Sequence, residues 1–334
     1  MSEGISNEDR PGQKDQPGAA PDHQNILGLD LGSHVIRLGI VDPANQVQGF
    51  RREPYQEDAV RQGRALVDQL RRVIARAIEE HGQTTLSGIG IAVPGLVHAP
   101  TRRIHGLANL PDISNIDLHG ELEREFGLPL IVENNAYAAA CAEMTLGTAQ
   151  GVDNFLYLHI GPNVSAGLVL EGRLQHGRSG LAGAIGRMNI YVEHLATSVQ
   201  LEELVSASNI VRRTRLRLER DKTSALSRLS AGGGFTYDDI IDCAHNGDEL
   251  SRMMIDRTGI FIAIAIADVI SLLNLSQIAI GGAIAARQFL VEAVDREVRQ
   301  RMSETLRDNC QIVAASLGVD AMVLGIGMIG RRAR

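Results

Sequence analysis

The sequence predicts an α/β protein of two lobes with a ligand cleft. Three observations lead there. Two hairpin patterns with glycine-bearing turns, at 25–42 and 155–172, open two halves of the chain and suggest duplicated lobes. Between them lies a strand-to-helix junction, IVENNAYAAACAE at 131–143. There Ile131 and Val132 end a buried strand, and an alanine-rich run from Ala136 begins a helix. Ligands of open α/β sheets bind outside the carboxyl ends of strands, so Glu133, Asn134 and Asn135 would face a cleft. One asparagine suffices to cap the helix, and the junction offers three polar residues. An amide binds a hydroxyl but cannot accept its proton, so Asn135 is no general base.

Composition sets the bounds. The 334 residues are 44% hydrophobic and 22% charged, with net charge −7. That length suits two lobes with a substantial core, and the acidic balance argues against a general nucleic-acid surface. Aromatics are 3% and tryptophan is absent, which leaves no aromatic platform for carbohydrate stacking. Cys141, Cys243 and Cys310 lie far apart without metal-ligand spacing and read as buried thiols of a cytoplasmic protein. The most apolar run, 260–275, carries Asp268 and Asn274 and is too short to span a bilayer comfortably.

In chain order, 1–24 is polar with three prolines and reads as a disordered tail, too short for a DNA-binding domain. The first hairpin places strands at 26–29 and 35–41 and a turn at 30–34. Gly32 and Ser33 allow close backbone approach, and Asp30 is either an ordinary turn residue or a ligand for hydrated magnesium. The apolar stripe Leu66, Val67, Leu70, Val73, Ile74 and Ala77 predicts a helix over 57–81. A strand at 86–93 ends in Pro94-Gly95, and a helix at 118–126 is closed by Gly127. The second hairpin has strands at 155–160 and 168–170 around a loop at 161–167. Helices follow at 201–220, 236–244 and 248–275, the last buried in its second half. The basic run RRTRLRLER at 212–220 reads as a solvated helix face. A strand at 277–280 precedes Gly281-Gly282-Ala283, which opens a further helix, and 325–330 lies in a closing helix.

Several features occur together and in order: DxG at Asp30, VPG at 93–95, NLP at 109–111 and VEN-x-A-x-AAA-x-AE at 132–143. The second hairpin turn, G-x-x-G-x-I-G at 180–186, LE at 201–202 and IGG at 280–282 follow. In this the chain resembles the ROK family of sugar kinases and sugar-responsive repressors. The resemblance implies a two-lobed actin-like (ribonuclease H-like) ATPase fold. It implies a tail at 1–25, a small lobe at 26–130 with the closing helix 318–334 packed back on it, and a large lobe at 131–317.

It also implies Gly95, Asn109, Asn134 and Glu202 at sugar-facing positions. Asp30, Gly32, Ser33, Gly161, Gly281 and Gly282 fall at nucleotide-facing ones. The departures are specific. Asn135 stands where family kinases keep the catalytic Asp. Pro162 replaces a phosphate-binding Thr and removes a backbone N–H. His34 replaces another Thr. Ala184 and Arg187 stand at the family's sugar-binding Glu and its His, and Arg187 would favour an acidic or phosphorylated ligand. No cysteine lies between Cys141 and Cys243, so the family's structural zinc is not expected. The expectation is therefore a catalytically inactive, kinase-like cytoplasmic homodimer that binds a sugar-like effector or a protein partner, without direct DNA or membrane contact. The alternative is a divergent hexose or N-acylhexosamine kinase using ATP and Mg²⁺, with Glu133 or Asp112 as the base.

Overall fold

The computed structural model describes residues 24–332 apart from 33, 108, 193–195, 222 and 283–287. The tail expected at 1–25 lies outside these residues as far as 23, and Asn25 already belongs to the first strand.

Two five-stranded sheets organise the chain. The first contains β1 (Asn25–Leu31), β2 (Val35–Val41), β3 (Val47–Pro54), β4 (Leu86–Val93) and, after two short strands β5 (Leu96–His98) and β6 (Arg103–His105), β7 (Leu130–Asn134). Its order is β3-β2-β1-β4-β7. The second contains β8 (Phe155–Ile160), β9 (Val164–Leu170) and β10 (Arg173–Leu174). It adds β13 (Gln277–Gly281) and β14 (Gln311–Ala314), past a separate hairpin of β11 (Asn189–Val192) and β12 (Thr197–Gln200). Its order, β10-β9-β8-β13-β14, repeats the first. In each sheet an antiparallel hairpin leads into parallel central strands. The duplication suggested by the two hairpins is thus present in the topology.

The helices are α1 (Gly63–His81), α2 (Leu118–Phe126), α3 (Asn135–Leu146), α4 (Leu201–Val205), α5 (Ala207–Leu218) and α6 (Leu226–Ala231). They continue with α7 (Tyr237–His245), α8 (Glu249–Leu273), α9 (Gln288–Arg301), α10 (Glu304–Asp308) and α11 (Ala321–Arg332).

The central strands are buried on both faces, and their alternation sorts side chains between two cores. Leu27, Leu29 and Leu31 of β1 join Ile89, Ile91 and Val93 of β4 in a core with α1 and α2. Ala92 faces the other way, with Val323 and Ile326 of α11. That second core also takes Phe155, Tyr157 and Ala279 from the second sheet and the alanines of α3. It therefore joins the lobes, and α3 and α11 are its axis. This explains the alanine run: α3 is buried from Asn135 to Glu143, and its alanines let Gly167 of β9 and Gly325 of α11 approach closely, while Tyr137 carries the bulk. A third core surrounds the helices of the second lobe.

Several boundaries differ from expectation for local reasons. α1 begins at Gly63, not 57, because 58–62 forms turns closed on the Asp58 carbonyl. The helix expected at 201–220 is two helices, broken at Ser206, whose ψ of 153° is extended. Both hairpin turns are tighter than expected. β1 runs through Leu31, and β9 begins at Val164, leaving only 161–163 as the second turn. The strand at 86–93 and the helix at 118–126 form as expected, the latter capped by Asp117 and ended by Gly127 at φ 62°. The helix expected to open at 281 has its first turn outside the described residues.

Candidate functional site

The two hairpin turns face one another across a cleft of about 230 Å³ at the carboxyl ends of the central strands. From the first lobe come Asp30, Gly32 and Arg37; from the second, His159, Gly161, Pro162 and Gly282. Asn135 and Pro94 lie between, and Val319 and Met322 close one side.

The site is built outward from Asp30. Strand β1 carries it into the interior, where it is 1% exposed. Arg37 is its cross-strand partner in β2, and the guanidinium Nη1 donates to Oδ2 over 2.6 Å. Burial raises the Asp30 carboxyl above its ordinary range, and Arg37 opposes the rise. The same guanidinium lies against Gly32, where a Cβ would stand 2.5 Å from Nη1. Asp30, expected in the turn, is therefore a strand residue, ion-paired and covered. The Tyr55 hydroxyl donates to the Gly32 carbonyl over 2.9 Å and braces the turn.

Across the cleft, His159 is 6% exposed and its Nδ1 has no partner. Burial, and then the charge of Arg37, lower its pKa to about 4, so the ring is neutral at pH 7. The turn beyond it is closed by the Gly161 N–H donating to the Asn163 carbonyl, with Pro162 at the tip contributing no N–H. Gly282 has φ 95°, and a Cβ there would strike the Ile160 carbonyl, so this strand end requires glycine. Gly281 is buried against the Tyr157 phenol and does not line the cleft.

The junction divides its labour. Asn134 is the N-cap of α3: its Oδ1 accepts the Ala136 N–H over 2.8 Å, and its Nδ2 donates to the Gly95 carbonyl over 2.7 Å. Asn134 and Gly95, both expected at the sugar, thus hold each other. Asn135 is 5% exposed, lines the cleft, and has an Oδ1 with no partner. A buried polar atom left open toward a cavity marks where a ligand donor would sit.

The remaining expected residues stand elsewhere. Glu202 accepts the Val164 N–H over 2.8 Å and so fixes the start of β9. Arg187 is exposed and donates to Gln200 over 3.0 Å. Asn109 is exposed, at φ 60°. None of these three lines the cleft. Ser33 lies outside the described residues. Of the bases considered for the kinase alternative, Glu133 pairs with His176 at 2.9 Å in a different pocket. Asp112 is exposed and bonded to Ser114.

The sequence reading missed Arg37, His159 and Tyr55. Arg37 had a signal: a hairpin continued to Leu31 sets position 37 opposite 30. Among the described residues, no group of three or more His, Cys, Asp or Glu is placed to hold a metal ion. No helix is long and apolar enough to cross a membrane.

Paired sheets of one topology, joined by two inter-lobe helices around a cleft, define the two-lobed actin-like ATPase fold. The chain matches the ROK family over residues 26–332, and it belongs to that family. A glucokinase of Halalkalibacterium halodurans is 27% identical, covering 91% of this chain and 94% of its own. A xylose repressor of Caldicellulosiruptor bescii is 25% identical over 90% of this chain and 76% of its own. Among solved structures, a ROK-family glucokinase of Streptomyces griseus in complex with glucose and AMPPNP superposes with TM-score 0.80. It is 24% identical and covers 92% of this chain and 99% of its own. A ROK-family transcriptional regulator, a homologue of the Escherichia coli MLC protein, also gives 0.80 at 25% identity, covering 92% and 78%. The chain is thus sugar-kinase-like, in a family that holds both enzymes and regulators.

Proposed function

We propose that this protein binds a sugar-like effector in the inter-lobe cleft without phosphorylating it, and acts in regulation. The observation that carries the reading is the state of the cleft's carboxylates. Among the described residues lining the cleft, Asp30 is the one carboxylate, and Arg37 holds it. Phosphoryl transfer needs a group to take the proton from the attacking hydroxyl, and cations and donors around the phosphates. Asn135 cannot take a proton. His159, with its pKa near 4, is a poor base at neutral pH. A magnesium ion would have to compete with a guanidinium for Asp30, and Pro162 offers no N–H to a phosphate. These residues do not fit a magnesium-bound triphosphate. Missing general-base catalysis alone costs about 10²–10⁴-fold in rate. The open amide of Asn135 and neutral His159 fit a hydroxyl-bearing ligand, with Arg37 already committed to Asp30.

The relatives support sugar as the ligand class: one is a glucokinase, and another was solved with glucose. The test is a thermal-shift and calorimetry panel of sugars, sugar acids and ATP·Mg²⁺. A ligand that binds only the folded state raises its melting temperature. The reading expects a shift with a sugar-class ligand and none with millimolar ATP·Mg²⁺. Micromolar ATP·Mg²⁺ binding would overturn it in favour of a divergent sugar kinase.

A further inference from the structure

The basic run at 212–220 is largely exposed, as expected, with Arg212, Arg215, Arg217 and Arg220 solvated, but part of it also lines a groove. Arg213, Arg217 and Arg220 recur at i, i+4 and i+7 along α5 and the turn that follows. With Arg212, and with Arg257 of α8, they line a groove of about 640 Å³. We propose that this groove is a second ligand site, which binds a phosphorylated small molecule. None of the residues lining it also lines the inter-lobe cleft.

Charge is the first argument. Glu203 and Glu219 are the carboxylates of the groove, so five arginines exceed two glutamates by three charges, in a chain of net charge −7. Among the described residues, none of the five arginines forms an ion pair. Arg212 bonds the Asn209 amide, and Arg213 donates to the Leu204 carbonyl. Several other arginines are paired with carboxylates, as Arg71 is with Glu121 and Arg299 with Asp295, while single unpaired ones such as Arg187 bond amides or carbonyls. What distinguishes the groove is five of them together. Concentrated, unneutralised guanidinium groups repel one another. Burial, with Arg257 and Arg212 as neighbours, brings even Arg213 down to about 10. A bound dianion removes that repulsion.

Shape is the second argument. The guanidinium of Arg213 is held 5.0 Å over the Phe261 ring, which fixes its plane at the groove wall. Met254 and Leu204 add apolar wall, and Leu216 is 54% exposed at the same place. Fixed planar donors match phosphate oxygens in pairs, and a volume of this size is that of small-molecule sites. Apolar surface beside the arginines suits the organic part of a phosphate ester, and Glu203 offers an acceptor for its hydroxyls.

The test uses the full-length chain, with inorganic pyrophosphate, a hexose 6-phosphate and the free hexose as calorimetric titrants. The variants are Arg217→Gln, Arg257→Gln and, as a cleft control, Asn135→Ala. Both phosphorylated titrants are expected to bind. Each arginine change should weaken pyrophosphate, which offers the cleft no hydroxyl, about tenfold, and the cleft change should leave pyrophosphate unaltered. The hexose 6-phosphate is read on Asn135→Ala, where the free hexose no longer binds, and should keep its arginine-dependent binding. Pyrophosphate binding alone would assign the groove to a free oligophosphate; binding of both assigns it to a phosphate ester. Two results would overturn the proposal. One is no binding of either phosphorylated titrant, including the case in which only an oligonucleotide or an acidic peptide binds. The other is binding abolished by Asn135→Ala and indifferent to both arginine changes. Because Arg213 is left intact, the variants retain the stacked contact that packs α5 on α8.

Discussion

The Arg37 guanidinium stands 2.6 Å from the Asp30 carboxylate, cross-strand in the first hairpin, with Asp30 only 1% exposed. One ion pair thus fills the part of the cleft where a nucleotide-bound cation would be sought, and it sets the behaviour of the first lobe with pH.

Removing the arginine should be costly. Arg37→Ala leaves a buried carboxylate without its partner, a loss of about 3–5 kcal/mol. The deficit should depend on pH. The Asp30 carboxyl is already raised in the folded protein, and Arg37 supplies both effects that hold it down. Without Arg37 it rises further. Between its unfolded and folded pKa values the folded state holds more protons than the unfolded, so stability falls as pH rises through that window. The Arg37→Ala deficit is therefore expected to be smallest near pH 5 and larger at pH 7.5. Urea midpoints at the two values measure it, and a deficit independent of pH would show that Asp30 does not titrate there.

The two asparagines of the junction should separate cleanly. Asn134→Ala removes the cap of α3 and the bond to Gly95 and should cost about 1–2 kcal/mol. Asn135→Ala removes an Oδ1 that bonds nothing and should change stability by less than about 0.5 kcal/mol while abolishing ligand-induced stabilisation. Thermal unfolding with and without the sugar-class ligand distinguishes them. Equal destabilisation by both changes would deny the division of roles.

Glu143 is fully buried in α3 and bridges two segments. Its carboxylate accepts from the Thr148 N–H, the Thr148 and Ser316 hydroxyls and the Leu317 N–H, tying α3 to the approach to α11. Glu143→Ala empties a fully buried site and takes the shared acceptor from these half-buried or exposed donors, and should cost about 2–3 kcal/mol. A chemical-denaturation midpoint near that of the native chain would show that water replaces the carboxylate.

Much of the fold was legible because its signals are local. The strand at 86–93, the helix at 118–126 and the alanine run of α3 carry their own periodicity, composition and caps. The two matching hairpins announced the repeated sheet order. The site was less legible. Asp30 was expected in a turn because Gly32 and Ser33 suggested an early break, and that placement hid its register with Arg37. Glu202 and Asn134 are occupied by backbone groups, Val164 N–H and Gly95 C=O, that carry no side-chain signature. The arginine groove needs Arg257, brought to α5 only by the packing of α8, so the run at 212–220 alone resembled an ordinary polar helix face.

The central claim is that the cleft binds but does not phosphorylate. A coupled ADP-release assay over common hexoses and N-acetylhexosamines tests it on the native chain, on Asn135→Asp, and on Asn135→Asp combined with Pro162→Thr, Ala184→Glu and Arg187→His. Groups that act as a unit are strongly non-additive, so restoring one of them recovers little. The account predicts negligible sugar-dependent turnover by the native chain and by Asn135→Asp, and more from the combined variant than from any single change. Robust sugar-dependent ADP release by the native protein would contradict it.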